Sequence, residues 1–186
     1  MLAATLRCGS SDPAPPSRAR RAPIYAVISG YDSASEGGDL HRTDMSGETA
    51  SRAMSNVLTQ AELEPEDIDY ICAHGNAMVD YDVAETTAIK RTFGRYAYNF
   101  PVSSLKAMCG QAFAASAAMQ VVATCLVIRD GMVFPTINLE YPDARCDLDY
   151  VPNKARKARV RRTLIHSHAM GGSHSVLALA REDSIR

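Results

Sequence analysis

An α/β layered fold is predicted for this chain, on three observations. Runs rich in β-branched and aromatic residues end in glycine or polar groups, amphipathic helical segments lie between them, and one long alanine-rich stretch is composed for burial. The expected architecture is a mixed sheet of five strands with helices on both faces. Its central alanine-rich helix, at residues 110–129, is expected to be the most buried element.

The elements follow in order. "IYAVISGYDS" (24–33) reads as a strand ended by Gly30 and Asp32. Residues 46–63 open on Ser46, carry Glu48, Thr49 and Ser51 in the first turns, and then repeat Ala50, Met54, Val57, Leu58 and Ala61 at helical spacing. "EPEDIDYICAHG" (64–75) passes from an acidic turn into a buried strand that stops at His74-Gly75. Residues 80–94 form a second helix, with Val83, Thr86, Thr87 and Ile89 as packing positions and Gly94 as its stop. "FPVSSL" (100–105) is a short strand. From Gln111 to Ile128 almost every residue is apolar or small, until Arg129-Asp130-Gly131 ends the run. A proline-punctuated connection (133–143) leads to two β-like segments, 158–172 and 175–182, joined by a glycine turn.

The totals limit what the protein does. A length of 186 residues suits one domain, expected at 23–186, behind a Ser-, Pro- and Arg-rich leader at 1–22 that is expected to be disordered. The leader's apolar stretch is too short for a secretory signal. A net charge of -1 gives no reason to expect nucleic acid or an anionic membrane as partner, and the basic run 153–162 reads as solvated surface. No uninterrupted apolar stretch reaches the roughly 18 residues of a membrane span. The five cysteines are scattered, with neither a C-x-x-C pair nor metal-ligand spacing, which suits reduced thiols in the cytoplasm.

Polar residues of chemical interest gather where buried strands end, the place where a rigid scaffold presents groups to water-accessible loops. His74-Gly75 follows "IDYICA", Lys106 follows "VSSL", and His166 and His168 alternate on one strand and so share a face. Each has an ordinary structural reading when taken singly: strand-end histidines are usually structural, and Lys106 and Glu85 suit a solvated surface. His74, His166 and His168 form no ligand pattern of known spacing, so no metal is expected.

Together the motifs are more specific. "HGN", "DVAETTAIKRTFG", "VSSLKAMCGQ", "GMVFPTINLEYPDARCDLDYVPNKAR" and "HSHAMGGSHSVLAL", in that order, resemble the C-terminal half of β-ketoacyl-acyl carrier protein synthases, the thiolase-fold condensing enzymes of fatty acid and polyketide synthesis. The resemblance runs from about residue 23 to 182, and "PTINLE…CDLDYVP" is its most diagnostic stretch. It implies a chemistry in which a cysteine takes an acyl chain as a thioester, and malonyl-carrier protein loses carbon dioxide to give the attacking enolate. Histidine donors stabilise the enolate oxygen. His74 then matches the first such histidine, Lys106 the supporting lysine, and Glu85 that lysine's ion-pair partner. The implied partners are an acyl carrier protein and either an N-terminal ketosynthase half or an active ketosynthase subunit, in a homo- or heterodimer. No cofactor is implied.

The departures from the pattern are as informative. Gln111 stands where the family has its second histidine, keeping an N–H donor but no titratable group. Asn76 replaces a threonine after His-Gly. His166-Ser167-His168-Ala169-Met170-Gly171-Gly172 replaces Asn-Ser-Phe-Gly-Phe-Gly-Gly, so that His168 takes the place of a gating phenylalanine. Asn76, His166, His168, Gly171 and Gly172 are thus the expected substrate-contacting positions. The nucleophilic cysteine belongs to the family's N-terminal half and has no counterpart here. Cys109 is expected to pack and Cys72 to be buried and inert. The leading expectation is a ketosynthase half that is inactive alone. The alternatives are a non-catalytic partner of the chain-length-factor kind and an independent acyl- or coenzyme A-binding module.

Overall fold

Period-two alternation builds the central sheet. The computed structural model describes residues 5–6, 21 and 23–184. In chain order its elements are β1 (Thr5–Leu6), β2 (Val27–Ser35), α1 (Glu48–Gln60), β3 (Tyr70–Cys72), α2 (Val79–Phe93), β4 (Val102–Ser103) and α3 (Lys106–Cys109). They continue with α4 (Ser116–Asp130), β5 (Met132–Val133), β6 (Arg156–Lys157), β7 (Arg162–Ala169) and β8 (Ser173–Ala180). The main sheet runs β1-β2-β8-β7-β3-β4, and β5 pairs with β6 in a separate ribbon.

The sheet is mixed, as expected. β2, β8 and β7 pair antiparallel, whereas β3 is parallel to both β7 and β4. The five strands expected from the sequence are β2, β3, β4, β7 and β8, and the two-residue β1 adds a sixth, parallel to β2. Of the segment read as a disordered leader, all but Thr5, Leu6 and Arg21 lies outside the described residues.

The two faces of the sheet carry separate cores. On one, Ala50, Ala53, Met54, Val57 and Leu58 of α1 and Ala88, Ile89 and Phe93 of α2 pack on Ile71, Val102, Leu164, Val176 and Ala178. On the other, Cys125, Val127 and Ile128 of α4 pack with Tyr70, Cys72, Ile165 and Leu179. Leu164 and Ile165, adjacent on β7, thus point to opposite layers. By the same parity His166 and His168 face the α1–α2 layer, and so does His174, two residues before Val176 on β8.

Two expectations about the alanine-rich helix are corrected. It begins at Ser116, not at 110, because Gly110 (φ +74°) and Phe113 (φ +46°) take left-handed backbone angles that stop α3 and leave a 3₁₀ turn before α4. Within this chain it is also covered on one face only. Ser116, Gln120, Thr124, Val127 and Ile128 are buried, while Val122 and Leu126 are 37% and 38% exposed. The stretch Phe113–Asp130 is long and apolar enough by composition to cross a membrane; in this structure the buried face of α4 packs against β7.

That one-sided packing predicts unequal costs along α4. In denaturant unfolding of the 186-residue chain, Ile128→Ala is expected to lose about 2–5 kcal/mol, and Leu126→Ala less than about 1 kcal/mol. Equal losses would show that the outer face of α4 is covered in the isolated chain.

Candidate active site

The site grows from the end of β3. Beyond Cys72 the chain runs through Ala73 and His74 to Gly75, where φ is +38° and an added Cβ would fall 2.6 Å from the Cβ of Ser104. Only glycine allows this close approach. The Ser104 hydroxyl, just past β4, then donates to the Gly75 carbonyl at 2.5 Å. The ends of two parallel strands are thereby held together.

Glu85, buried on α2, supplies the second restraint. Its Oε1 accepts the His74 backbone N–H at 2.7 Å and its Oε2 that of Gly75 at 2.9 Å. Oε1 also lies 2.5 Å from Nδ1 of His166. Burial alone would raise its pKa, but the charge and hydrogen bond of His166, with His74 and the Gly75 N–H, bring it down to about 2. The expected ion pair of Glu85 with Lys106 is therefore replaced. Glu85 binds His166 and the strand-end amides, because α2 packs over the face to which β7 turns His166.

Lys106 is buried beside it at the start of α3. Its ammonium donates to the His74 carbonyl at 2.6 Å and lies 3.3 Å from His74 Nδ1. Burial lowers the lysine pKa from its ordinary value, opposed by Glu85.

These contacts fix the histidine's tautomer. The His168 backbone N–H, which can only donate, points at His74 Nδ1 at 3.0 Å. Nδ1 is therefore the acceptor, and the neutral ring carries its proton on Nε2. That Nε2 is buried and has no hydrogen-bond partner among the described residues. Burial holds the His74 pKa down to about 4, with Lys106 adding to the effect and Glu85 opposing it. The result is a neutral imidazole presenting one unsatisfied N–H donor.

A cavity of about 590 Å³ lies against this cluster. Asn76, Glu85, Lys106 and Gln111 all line it, together with Ala73 and Gly75, which flank His74. His74 itself sits behind that wall, 4% exposed. The sequence-predicted residues therefore divide. Asn76, Glu85, Lys106 and Gln111 meet at one cavity, and His74 backs it. His166, His168, Gly171 and Gly172 do not line the cavity: they lie in and around the β7–β8 turn. Gln111 is exposed and accepts from the Ser116 hydroxyl at 3.2 Å. Cys109 is exposed too, contrary to the packing role expected for it, whereas Cys72 is buried and its thiol pKa raised by burial, as expected.

Sequence reasoning missed three residues. Gln120, 1% exposed, donates to the Ala73 carbonyl at 2.9 Å and the His166 carbonyl at 3.0 Å, and accepts from the Ser167 hydroxyl at 2.7 Å. A lone amide inside an otherwise apolar helix was the signal for it. His174 lies directly opposite His168 across β7–β8. Glu36, which follows β2, reaches His174 at 2.9 Å. No local pattern announced Glu36.

Comparison with known proteins follows the same lines. Residues 25–140 match the model of the β-ketoacyl synthase C-terminal domain. The chain is 42% identical over 162 residues, 87% of its length, to 3-oxoacyl-[acyl-carrier-protein] synthase 2 of Coxiella burnetii, of which it covers 39%. It is 39% identical, also over 87% of its length, to the oxytetracycline polyketide putative β-ketoacyl synthase 1 of Streptomyces rimosus, of which it covers 38%. Among solved structures, it superposes with a TM-score of 0.86 and 36% identity on a type II polyketide synthase acyl-carrier protein in complex with its ketosynthase bound to the hexaketide. That match covers 88% of this chain and 40% of the other. The ishigamide ketosynthase/chain length factor gives a TM-score of 0.83 at 32% identity, with the same coverage of both chains. The chain thus spans about two fifths of the length of these relatives.

The buried histidines make stability depend on pH. The folded-state pKa values of His74 and His168 are depressed to about 4 and about 3, burial being the main cause in both. The unfolded chain therefore takes up protons near pH 6.5 while the native state does not, so stability is full above that pH and falls as pH is lowered towards 4. Each histidine is expected to remove about 1.4 kcal/mol per pH unit. Asp82, whose pKa burial raises to about 6, offsets one of them below that pH. Urea unfolding at pH 7 and pH 5 measures the difference. A flat profile over that interval would mean the imidazoles are solvated.

Proposed function

This chain belongs to the β-ketoacyl synthase C-terminal domain family, and from that membership we propose that it supplies the enolate-stabilising part of a condensing site in fatty acid or polyketide synthesis. The observation that supports this reading is the unsatisfied Nε2–H of His74, backed on its other nitrogen by Lys106 and the His168 amide. A preorganised, poorly hydrated N–H donor serves to hold an oxygen on which negative charge develops. Loss of carbon dioxide from a malonyl thioester places such charge on the thioester oxygen. Lys106 steadies His74 as an acceptor at Nδ1, Glu85 fixes the strand end that carries it, and Gln111 offers an amide N–H from the cavity wall in place of a second imidazole.

Among the described residues no thiol is set up as the acyl-accepting thiolate. Cys72 is buried with a raised pKa, Cys109, though exposed, lies outside the lining of the cavity, and Cys146, which does line it, has its thiol pKa raised by burial. The chain on its own is accordingly proposed to be inactive in condensation. Its proposed partners are an acyl carrier protein and a ketosynthase half or subunit bearing the cysteine, joined as a dimer in the cytoplasm. A second reading, a non-catalytic subunit of the chain-length-factor kind, is favoured by one observation: Gln111 is exposed and its amide oxygen is tied to the Ser116 hydroxyl.

Two measurements check these readings. Incubation of the chain with a labelled acyl-carrier protein, followed by intact-mass analysis, is expected to show no acyl adduct. A stoichiometric adduct abolished by Cys109→Ala would make the chain a self-contained acyltransferase. With the complementary cysteine-bearing half added, malonyl-carrier protein is expected to release carbon dioxide at a rate that His74→Ala lowers about 10²–10³-fold. A rate unaffected by His74→Ala would leave the non-catalytic reading.

A further inference from the structure

The β7–β8 hairpin and the end of β2 assemble a second cluster, whose side chains the proposed enolate chemistry does not use. His168 and His174 are direct partners in the hairpin register, so both imidazoles project to one face, with ring centroids 4.0 Å apart. Glu36 follows β2, whose pairing with β8 runs to Ser35 opposite Ser173. Its Oε1 lies 2.9 Å from His174 Nε2 and 3.8 Å from His168 Nε2. One ligand atom from each of the three residues lies within 4.8 Å of the others. Their side chains are 6%, 2% and 4% exposed for Glu36, His168 and His174. The close fit requires Gly172, where a Cβ would fall 2.6 Å from Glu36 Oε2.

One atom of the cluster lacks a hydrogen bond. His168 Nε2 is buried with no partner among the described residues, which is unfavourable unless something fills the site. The other two ligand atoms are oriented. Glu36 accepts from the Thr43 hydroxyl at 3.0 Å and the Asp44 N–H at 2.9 Å. His174 Nδ1 is held 3.1 Å from His166 Nε2, and His166 in turn by Glu85. A histidine fixed through one nitrogen by a second polar residue, with its other nitrogen aimed into a shared space, is how metal-ligating imidazoles are supported.

We propose that Glu36, His168 and His174 form a binding site for a divalent transition metal of the zinc class. Two imidazoles and a carboxylate suit zinc and the later first-row divalent ions. A tetrahedral zinc site places N and O donors about 2.0–2.2 Å from the metal, hence about 3.3 Å apart, and the observed separations of 2.9 and 3.8 Å bracket that value. Closing the site needs only small side-chain shifts. The ion would tie the β7–β8 turn to the chain after β2, beside the His168 amide that sets the tautomer of His74. Sequence spacing alone gave no sign of a metal because the carboxylate comes from 138 residues away.

The test uses the full-length chain, stripped with chelator and titrated with Co²⁺ by absorption spectroscopy and with Zn²⁺ by calorimetry. The expected result is one ion per chain, a d–d spectrum without a thiolate charge-transfer band, displacement of Co²⁺ by Zn²⁺, and a raised melting temperature on binding. Glu36→Gln, His168→Phe and His174→Asn are each expected to weaken binding by at least about 100-fold. His41→Ala, at an exposed histidine outside the cluster, is expected to leave it unchanged. Where one variant fails to fold by circular dichroism, the other two carry the comparison. Binding no tighter than millimolar, a thiolate band, or unchanged affinity in the folded ligand variants would each overturn the proposal.

Discussion

The buried carboxylate of Glu85 is the contact on which the site depends. It takes two backbone N–H groups from the end of β3 and the imidazole of His166 from β7, and so joins α2 to two neighbouring strands. A strand end leaves amides without ladder partners, and burying them costs free energy unless an acceptor is supplied. Glu85 supplies it, and the same bonds hold its own charge in a place where burial alone would neutralise it. Removing the carboxylate would free three donors at once. His74 would then lose the backbone geometry that lets Lys106 and the His168 amide reach its Nδ1.

From that fixed point the cluster extends in two directions. Towards the cavity, Lys106 and Gln111 stand in the wall as hydrogen-bond donors, with the neutral His74 buried behind them. Away from it, His166 passes the restraint to His174 and Glu36 along a line of hydrogen bonds beneath the hairpin. Gln120 closes the structure from the other layer by bonding the carbonyls of Ala73 and His166 from α4. Both faces of the sheet therefore converge on one pair of strand ends.

Much of this was legible in the sequence where physics is local. The alternation in "TLIHSHAM" placed His166 and His168 on one face, and the apolar spacing at 46–63 and 80–94 located α1 and α2 to within a few residues. What was not legible depends on distant contacts or unusual backbone. The start of α4 was misplaced because Phe113 adopts a left-handed angle that its residue type does not advertise. The family resemblance pairs Glu85 with Lys106, whereas the register of β7 against β3 brings His166 to the carboxylate instead. Glu36 reaches the site only through the β2–β8 pairing, which no segment encodes by itself.

The central claim is that His74 is a neutral imidazole with its proton on Nε2. Long-range ¹H–¹⁵N NMR of the histidine side chains reads the tautomer directly. The account predicts a protonated Nε2 and an unprotonated Nδ1 for His74, unchanged from pH 8 down to about pH 5, given a pKa near 4. A proton on Nδ1, or titration of the ring near its ordinary value of 6.5, would contradict it.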